Sequence, residues 1–310
     1  MNVRGLYPMK NRMKVAYLSD LASESNAPFI SLTETQLTPD ILSAEVTIKG
    51  YTIYRSDRLG GRSHGGVTGY VRDDLTVVER ESYSNNCCES QALEIKELEL
   101  LLVNVYRPPN APTQLFEDTL SKCQDVINLV LEKEDIKSKN ILAVGDFNFP
   151  FIQWPEKRIY SRDEEPIEMA SEKVQAKMLL EWADRSFMDQ FIYTATRKGN
   201  ILDLVFSNSN NLINGYSTIV NNKFSDHNIL KLNLNYQYQN QAKITRKNPY
   251  PNTIYEYDLM NASEKDWIRY NVLLSKLSEN FDDETIEENT EERLNRFYKL
   301  LEEAVTTLFE

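Results

Sequence analysis

Cysteine is scarce in this chain: three residues in 310, Cys87 and Cys88 adjacent and Cys123 apart. That number builds neither a disulfide framework nor a CxxC…CxxC zinc site, and it is the usage expected of a reducing compartment. Histidine is scarcer still, with only His64 and His227. No apolar run approaches the roughly 20 residues that cross a bilayer. The opening MNVRGLYPMKNRMKVAYLSD lacks the apolar core of a secretory signal. An intracellular chain without membrane contact is the expectation. Basic residues are also in deficit, 35 against 47 acidic, for a formal net charge of −12. Taken alone, that argues against a nucleic-acid partner, whose electrostatic footprint is usually basic.

What is present is an alternation of strand and helix signals. Short aliphatic or β-branched runs recur: VTGYV (67–71), LLLVNVY (100–106), ILAV (141–144), ILDLVF (201–206) and ILKLNLN (229–235). They end in Gly, Pro, Asn or Asp and read as strands, several of them buried on both faces. Between them, 116–131 and 174–183 repeat apolar residues at helical spacing. This is an α/β pattern. Near Gln237 it stops. YQYQNQAKITRKNPYPNT reads as a linker, and residues 255–310 read as helical, ending in an amphipathic stripe from Leu294 to Leu308. The expected organisation is a domain over 1–237 and a linker with a helical connector over 238–310.

Polar residues cluster at the ends of these strands, where open α/β sheets bind ligands. FISLTETQL places Glu34 after one strand, NVYRPPN places Tyr106 at the end of another, and ILAVGDFNFP places Asp146 and Asn148 beyond a third. ILDLVF carries Asp203 within an apolar strand, where an unpaired charge is costly. FSDHNIL sets Ser225, Asp226 and His227 before the next, making His227 the natural partner for Asp203. Each alone has a plain alternative: Glu34 as a cap, Asp-x-Asn as a turn, His64 and His227 as structural histidines. Their order together is far more specific.

The ordered set TET (33–35), HGGVTGYVR (64–72), NVYRPP (104–109), GDFN (145–148), TR…ILDLVFSN (196–208) and SDH (225–227) resembles the endonuclease/exonuclease/phosphatase superfamily. More narrowly it is similar to the apurinic-type endonuclease domain of LINE-like non-LTR retrotransposons, over about residues 2–235. The resemblance implies a four-layered α/β sandwich, two packed mixed β-sheets flanked by helices. It implies a DNA-nicking endonuclease that hydrolyses a phosphodiester with Mg²⁺ or Mn²⁺ and leaves a 3′-hydroxyl to prime reverse transcription. On these residues, Glu34 becomes the principal metal ligand, assisted by Asn2 and Asp226. Asp146 orients or deprotonates water, and Asn148 holds that water or the phosphate. Asp203 fixes His227, and His227 and Tyr106 donate to the non-bridging oxygens. Thr196 and Ser225 match positions of phosphate contact or support.

The same resemblance implies that the first strand is truncated ahead of Asn2, and that 238–310 leads towards a reverse transcriptase domain. DNA is the implied partner, with nuclear access. Its target sequence and the oligomeric state are not legible. Arg62, in the loop before HGGV, and Arg197, before the LDL strand, are the expected phosphate contacts; solubilising loop charge is the alternative. Two other functions remain open: a phosphodiesterase or phosphatase of the same superfamily acting on a lipid or inositol phosphate, or an inactive remnant that only binds.

Overall fold

A computed structural model of the protein describes residues 1–6, 8–59, 64–132, 140–154, 156–159, 167–220 and 224–235. The expected linker and helical connector over 238–310 lie outside the described residues.

The centre is a six-stranded mixed sheet. In chain order its strands are β4 (Val77–Ser84), β5 (Glu89–Ile95), β6 (Leu100–Tyr106), β7 (Asn140–Asp146), β10 (Asp189–Gln190) and β11 (Asp203–Ser207), with spatial order β10-β11-β7-β6-β5-β4. β6 and β7 are parallel, which requires a crossover, supplied by helix α2 (Thr113–Glu132). The near-continuous apolar runs of β6 and β7 follow from burial on both faces. Leu101, Val103 and Val105 enter one core with Phe116, Leu120, Ile127, Leu179 and Trp182. Leu100 and Leu102 enter the other, with Val71, Leu93 and Val205. The alternation is the period-two signature of a strand. α2 and α3 (Ile167–Arg185) cover the first face, as their apolar stripes predict. β4 is an edge strand carrying Glu79, Arg80 and Glu81 and a bulge between the two glutamates, devices that blunt an open edge.

The opposing layer is not one sheet. β1 (Phe29–Thr33), β2 (Tyr51–Ser56) and β3 (Val67–Arg72) form a three-stranded antiparallel piece, order β1-β3-β2. β12 (Ile213–Ile219) and β13 (Ile229–Leu234) form a separate pair. β8 (Ile152–Gln153) and β9 (Arg158–Ile159) make a small hairpin. The expected second mixed sheet is therefore divided, because no described strand lies between β1 and β13. Only a stub is present there: Asn2 bridges Thr33 in parallel.

Helix α1 (Pro8–Ser25) covers the three-stranded piece through Leu18 and Ala22, which meet Leu32 and Tyr70. Sequence pattern does not predict this helix, since its apolar residues are spread around it and form no clear stripe. Pro8 at its first turn is its clearest start signal. A second correction concerns Asp203: it opens β11 instead of lying inside a strand that starts at 201. The three cysteines are free thiols. No helix among the described residues is long and apolar enough to cross a membrane.

Candidate active site

Three strand ends share one level of the central sheet. Asp146 ends β7, pairs in register with Tyr106 at the end of β6, and pairs with Asp203 at the start of β11. Residues directly opposite in register project to the same face, so a phenol and two carboxylates stand side by side. Gly145 makes this possible. Its φ is +154°, and a Cβ there would lie 1.8 Å from the carbonyl oxygen of Val105, so only glycine admits that approach. Glu34 and Asn148 also hold left-handed backbone, at φ 52° and 54°, the kind of local strain that gathers at functional sites.

Asp146 is fully buried. Asn2 Nδ2 donates to its Oδ2 at 2.8 Å, and the Asn148 N–H donates to Oδ1 at 3.2 Å. Burial, reinforced by the charge of Asp203, pushes the Asp146 carboxyl up to about 7. Asp203 Oδ2 lies 2.7 Å from His227 Nδ1, and His227 Nε2 lies 3.8 Å from Asp146 Oδ2. Burial opposes the imidazolium. The Asp203 hydrogen bond and the charges of Asp203 and Asp146 outweigh that, so His227 titrates above its usual range. The imidazole thus stands between two carboxylates, with Nδ1 held by one and Nε2 turned to the other.

Tyr106 donates its hydroxyl to Glu34 Oε1 at 2.5 Å. Burial, then the Glu34 charge, raises the phenol far above its ordinary value, so it stays a donor. The Tyr106 ring lies under the Arg58 guanidinium, 5.6 Å from its centroid. Arg58 is itself paired with buried Glu89 at 2.6 Å. Thr196 Oγ1 accepts the N–H groups of Leu202 and Asp203, each at 3.0 Å, and so fixes the start of β11. Ser225 Oγ accepts the His227 N–H at 3.1 Å. Asp226 points to Arg197 at 2.8 Å and Arg4 at 3.2 Å. Partial burial works against its charge, but these two guanidinium groups hold the carboxyl below the usual range. Asn148 Nδ2 is committed to the Arg107 carbonyl at 2.8 Å. Arg62 lies outside the described residues.

The structure therefore brings together Asn2, Glu34, Tyr106, Asp146, Asn148, Asp203 and His227. Thr196 and Ser225 support the site through backbone N–H groups, and Asp226 sits to one side between two arginines. Three residues outside the expected catalytic and metal-binding set also matter: Arg107, and Arg4 and Lys14, which the sequence offers only as basic residues near the first motif. Arg107, fully buried, stacks 4.0 Å from the Phe149 ring centroid and donates to Gln175 and to the carbonyls of Phe147 and Asn148. It clamps the GDFN turn from below, and its place beside Tyr106 in YRPP was the available signal. Lys14 reaches from α1 to the carbonyls of Val3, Arg4 and Gly5 at 2.6, 3.2 and 2.9 Å. Arg4 anchors the same turn to Asp226. Nothing in the sequence pairs Lys14 with that turn.

Ligand atoms of Asp146, Asp203 and His227 lie within 4.8 Å of one another. Asp203 Oδ1 is buried with no hydrogen-bond partner among the described residues. A buried, oxygen-rich set with an unmatched carboxylate oxygen fits a hard divalent cation better than a thiophilic one. Acidic strand ends, a carboxylate-held imidazole and a buried phenol donor over a divided sandwich define a hydrolase of phosphate esters.

Residues 1–227 match the model of the Endonuclease/Exonuclease/phosphatase family, and the chain belongs to that family. Among solved structures it is similar to the endonuclease domain of TRAS1, a telomere-specific non-LTR retrotransposon. That likeness has 17% identity and a TM-score of 0.52, and covers 76% of this chain and 97% of that one. It is likewise similar to the AP endonuclease LMAP from Leishmania major, at 14% identity and TM-score 0.54, over 74% and 85% of the two chains. At such identities these likenesses show the fold alone. A sequence comparison with curated proteins returns no match.

Proposed function

We propose that the chain is a divalent-metal-dependent DNA endonuclease of the non-LTR retrotransposon kind, nicking one strand and leaving a 3′-hydroxyl. The observation that carries this is the pair of hydrogen-bonded donors flanking Asp146: His227 held by Asp203 on one side, Tyr106 against Glu34 on the other. The choice of DNA and of that branch rests on the motif resemblance, Tyr106 in YRPP and the ILDLVF context beside GDFN and SDH, carried on a fold that the TRAS1 endonuclease domain shares.

In the hydrolysis a water oxygen bonds to phosphorus as the P–O3′ bond breaks, and the departing 3′-oxygen takes its proton from solvent water. The strand then ends in a 3′-hydroxyl on one side and a 5′-phosphate on the other. Asp146, raised towards neutrality, accepts the proton of the attacking water, while the Asn2 amide and the Asn148 N–H fix the carboxylate's orientation. His227 donates from Nε2 to a non-bridging oxygen, and Asp203 holds Nδ1 so that Nε2 faces the reaction. The Tyr106 hydroxyl offers a second donor as charge grows on the phosphoryl oxygens, and such donors are worth about 10²–10³ in rate each. Glu34 is proposed as the principal holder of Mg²⁺ or Mn²⁺, with Asn2 and Asp226 beside it and the buried oxygens of Asp203 and Asp146 within the same acidic bowl. The cation supplies Lewis-acid polarisation of the phosphoryl oxygen and charge neutralisation. Arg197 and Arg4, lined up on Asp226, present cationic edges for the DNA backbone, which offsets locally the acid excess of the whole chain.

Supercoiled-plasmid nicking with Mg²⁺ is the direct test. Wild type should convert supercoiled to open-circular DNA, and His227→Ala should reduce the rate by about 10²-fold or more. Equal nicking by the two proteins would remove the assignment.

A further inference from the structure

Two thiols that the hydrolysis does not use meet in one turn. β4 and β5 are joined through Asn85–Cys88, with Ser84 paired to Glu89 at the ends of the two strands. Along a strand successive side chains point to opposite faces, which keeps adjacent cysteines apart. Cys87 and Cys88 escape that rule because they lie in the turn. The Asn85 side-chain oxygen accepts both of their N–H groups, at 3.3 and 2.9 Å, and Asn85 Nδ2 ties the turn to the Leu115 carbonyl of α2 at 2.6 Å. Held this way, the two thiols are hydrogen-bonded to each other.

The contact gives them different characters. The hydrogen bond draws the Cys87 thiol below its ordinary value; partial burial opposes this and the Arg58 charge adds to it. The same bond, together with burial, pushes Cys88 up. Cys87 is half-buried and Cys88 buried, so a reachable thiolate former stands in front of a protonated partner. Cys123 is packed in the core with α2, and burial pushes its thiol up to about 12. The turn also holds a neighbour of the active site. Its Cys87 carbonyl accepts from Arg58 Nη2. Arg58 Nε and Nη2 donate to Glu89 at 2.6 and 3.0 Å, and Glu89 Oε2 accepts the Gly66 N–H at 3.0 Å. The guanidinium so fixed lies over the Tyr106 ring.

We propose that Cys87 and Cys88 are a redox-modification site, where a peroxide converts the dithiol to a vicinal disulfide and loosens Arg58 from its place over Tyr106. The Cys87 thiolate attacks one oxygen of hydrogen peroxide, the O–O bond breaks, and the departing hydroxide regains the proton Cys87 had lost and leaves as water. The Cys88 sulfur then attacks the sulfenic sulfur of Cys87; the S–O bond breaks, and the hydroxyl leaves as water with the Cys88 proton. The thiols give up two electrons and two protons, and the peroxide is reduced to two waters. Adjacent Cα atoms stand about 3.8 Å apart, less than the roughly 4.4–6.8 Å of ordinary disulfides. The bond is therefore strained and readily reduced, as a sensing disulfide in a reducing compartment must be. Closing so small a ring twists the peptide between the two cysteines. That peptide supplies both the carbonyl held by Arg58 and the N–H held by Asn85. The effect on catalysis rests on the nuclease reading; the disulfide and the release of Arg58 do not.

The test treats the full chain with hydrogen peroxide, alkylates the remaining thiols and digests with trypsin. The cysteine pair falls in the peptide Glu81–Lys96, which excludes Cys123, so wild type alone decides whether the bond forms. That peptide should lose two hydrogens, take up no alkylating agent and return to the dithiol with dithiothreitol. Hydrogen exchange at the Gly66 amide should quicken at least about tenfold on oxidation. Nicking should fall about tenfold, part of what one donor contributes, and recover on reduction. Cys88→Ser should lose all three responses and Cys123→Ser should keep them. Thiols of that peptide that stay open to alkylation, end as sulfinic acid, or pair with Cys123 or a second chain overturn the site. A vicinal disulfide that leaves Gly66 exchange unchanged overturns the link to Arg58, and quickened exchange with undiminished nicking overturns the effect on Tyr106. Reduced wild type that does not nick counts against the nuclease reading and leaves the mass and exchange results to decide the site.

Discussion

Replacing Asp146 with Asn should abolish activity and, in the absence of divalent metal, make the domain more stable. Asp146 is fully buried beside Asp203, and its carboxyl is pushed from 3.8 up to about 7, by burial first and the neighbouring charge second. An acid whose folded pKa is raised binds its proton more tightly when folded than when unfolded. The ionised form therefore works against folding. The cost starts as pH rises past the unfolded value near 3.8 and is complete above about 7. A rise of roughly three units corresponds to about 4 kcal/mol. Asparagine removes the charge but presents only one acceptor where the carboxylate receives two donors, from Asn2 and Asn148, and one lost hydrogen bond returns about 1–1.5 kcal/mol.

The expected net gain is about 2.5–3 kcal/mol at pH 8, or roughly 5–12 °C in the unfolding midpoint. Calorimetry in EDTA at pH 8 and pH 5 measures it. The gain should shrink at pH 5, where Asp146 is largely protonated in the folded wild type. Added Mg²⁺ should then raise the wild-type midpoint more than that of the variant, because binding to the folded state is linked to stability. A variant that melts at or below wild type at pH 8, or by the same margin at both pH values, refutes the reasoning.

Asp203→Asn should keep the fold but release the imidazole from its carboxylate, lowering nicking by about 10²–10⁴-fold. It should also move the His227 titration down, since the Asp203 bond is what raises it; an unchanged NMR titration of His227 would contradict that. Lys14→Met should free the turn bearing Asn2, raising the Mg²⁺ concentration for half-maximal nicking by about tenfold with near-normal rate at saturation. A fall in the saturated rate with no shift in metal demand would assign Lys14 a different role. Arg107→Met leaves the Phe147 and Asn148 carbonyls and Gln175 without their donor and should cost about 3 kcal/mol in urea unfolding. A loss below about 1 kcal/mol would show that the buried guanidinium is not what holds the turn.

The sequence displays most clearly the parts of the molecule where a single local rule decides the structure. β6 and β7 are buried on both faces, so hydrophobicity alone marks them, and α2 shows its stripe because one face meets the sheet. β5 is hidden from that rule: Glu89, Gln91 and Glu94 are all buried within it, two of them paired with Arg58 and Arg80 from other segments. α1 is hidden too, because it needs only a narrow contact with β1 and β3. The site follows the same logic. Its reactive side chains stand at strand ends next to strong patterns, and their grouping is foreseeable once the strands are placed. What pattern cannot supply is register. That Tyr106, Asp146 and Asp203 occupy one level, and that Asp146 is held between Asn2 and Asn148, depends on pairings across as many as 144 positions. The buried charges are where local and global rules conflict. A carboxylate at the end of an apolar strand weakens the fold and strengthens the chemistry, as natural active sites often do at the expense of stability. In this domain that conflict centres on Asp146, buried at the end of β7 beside Asp203.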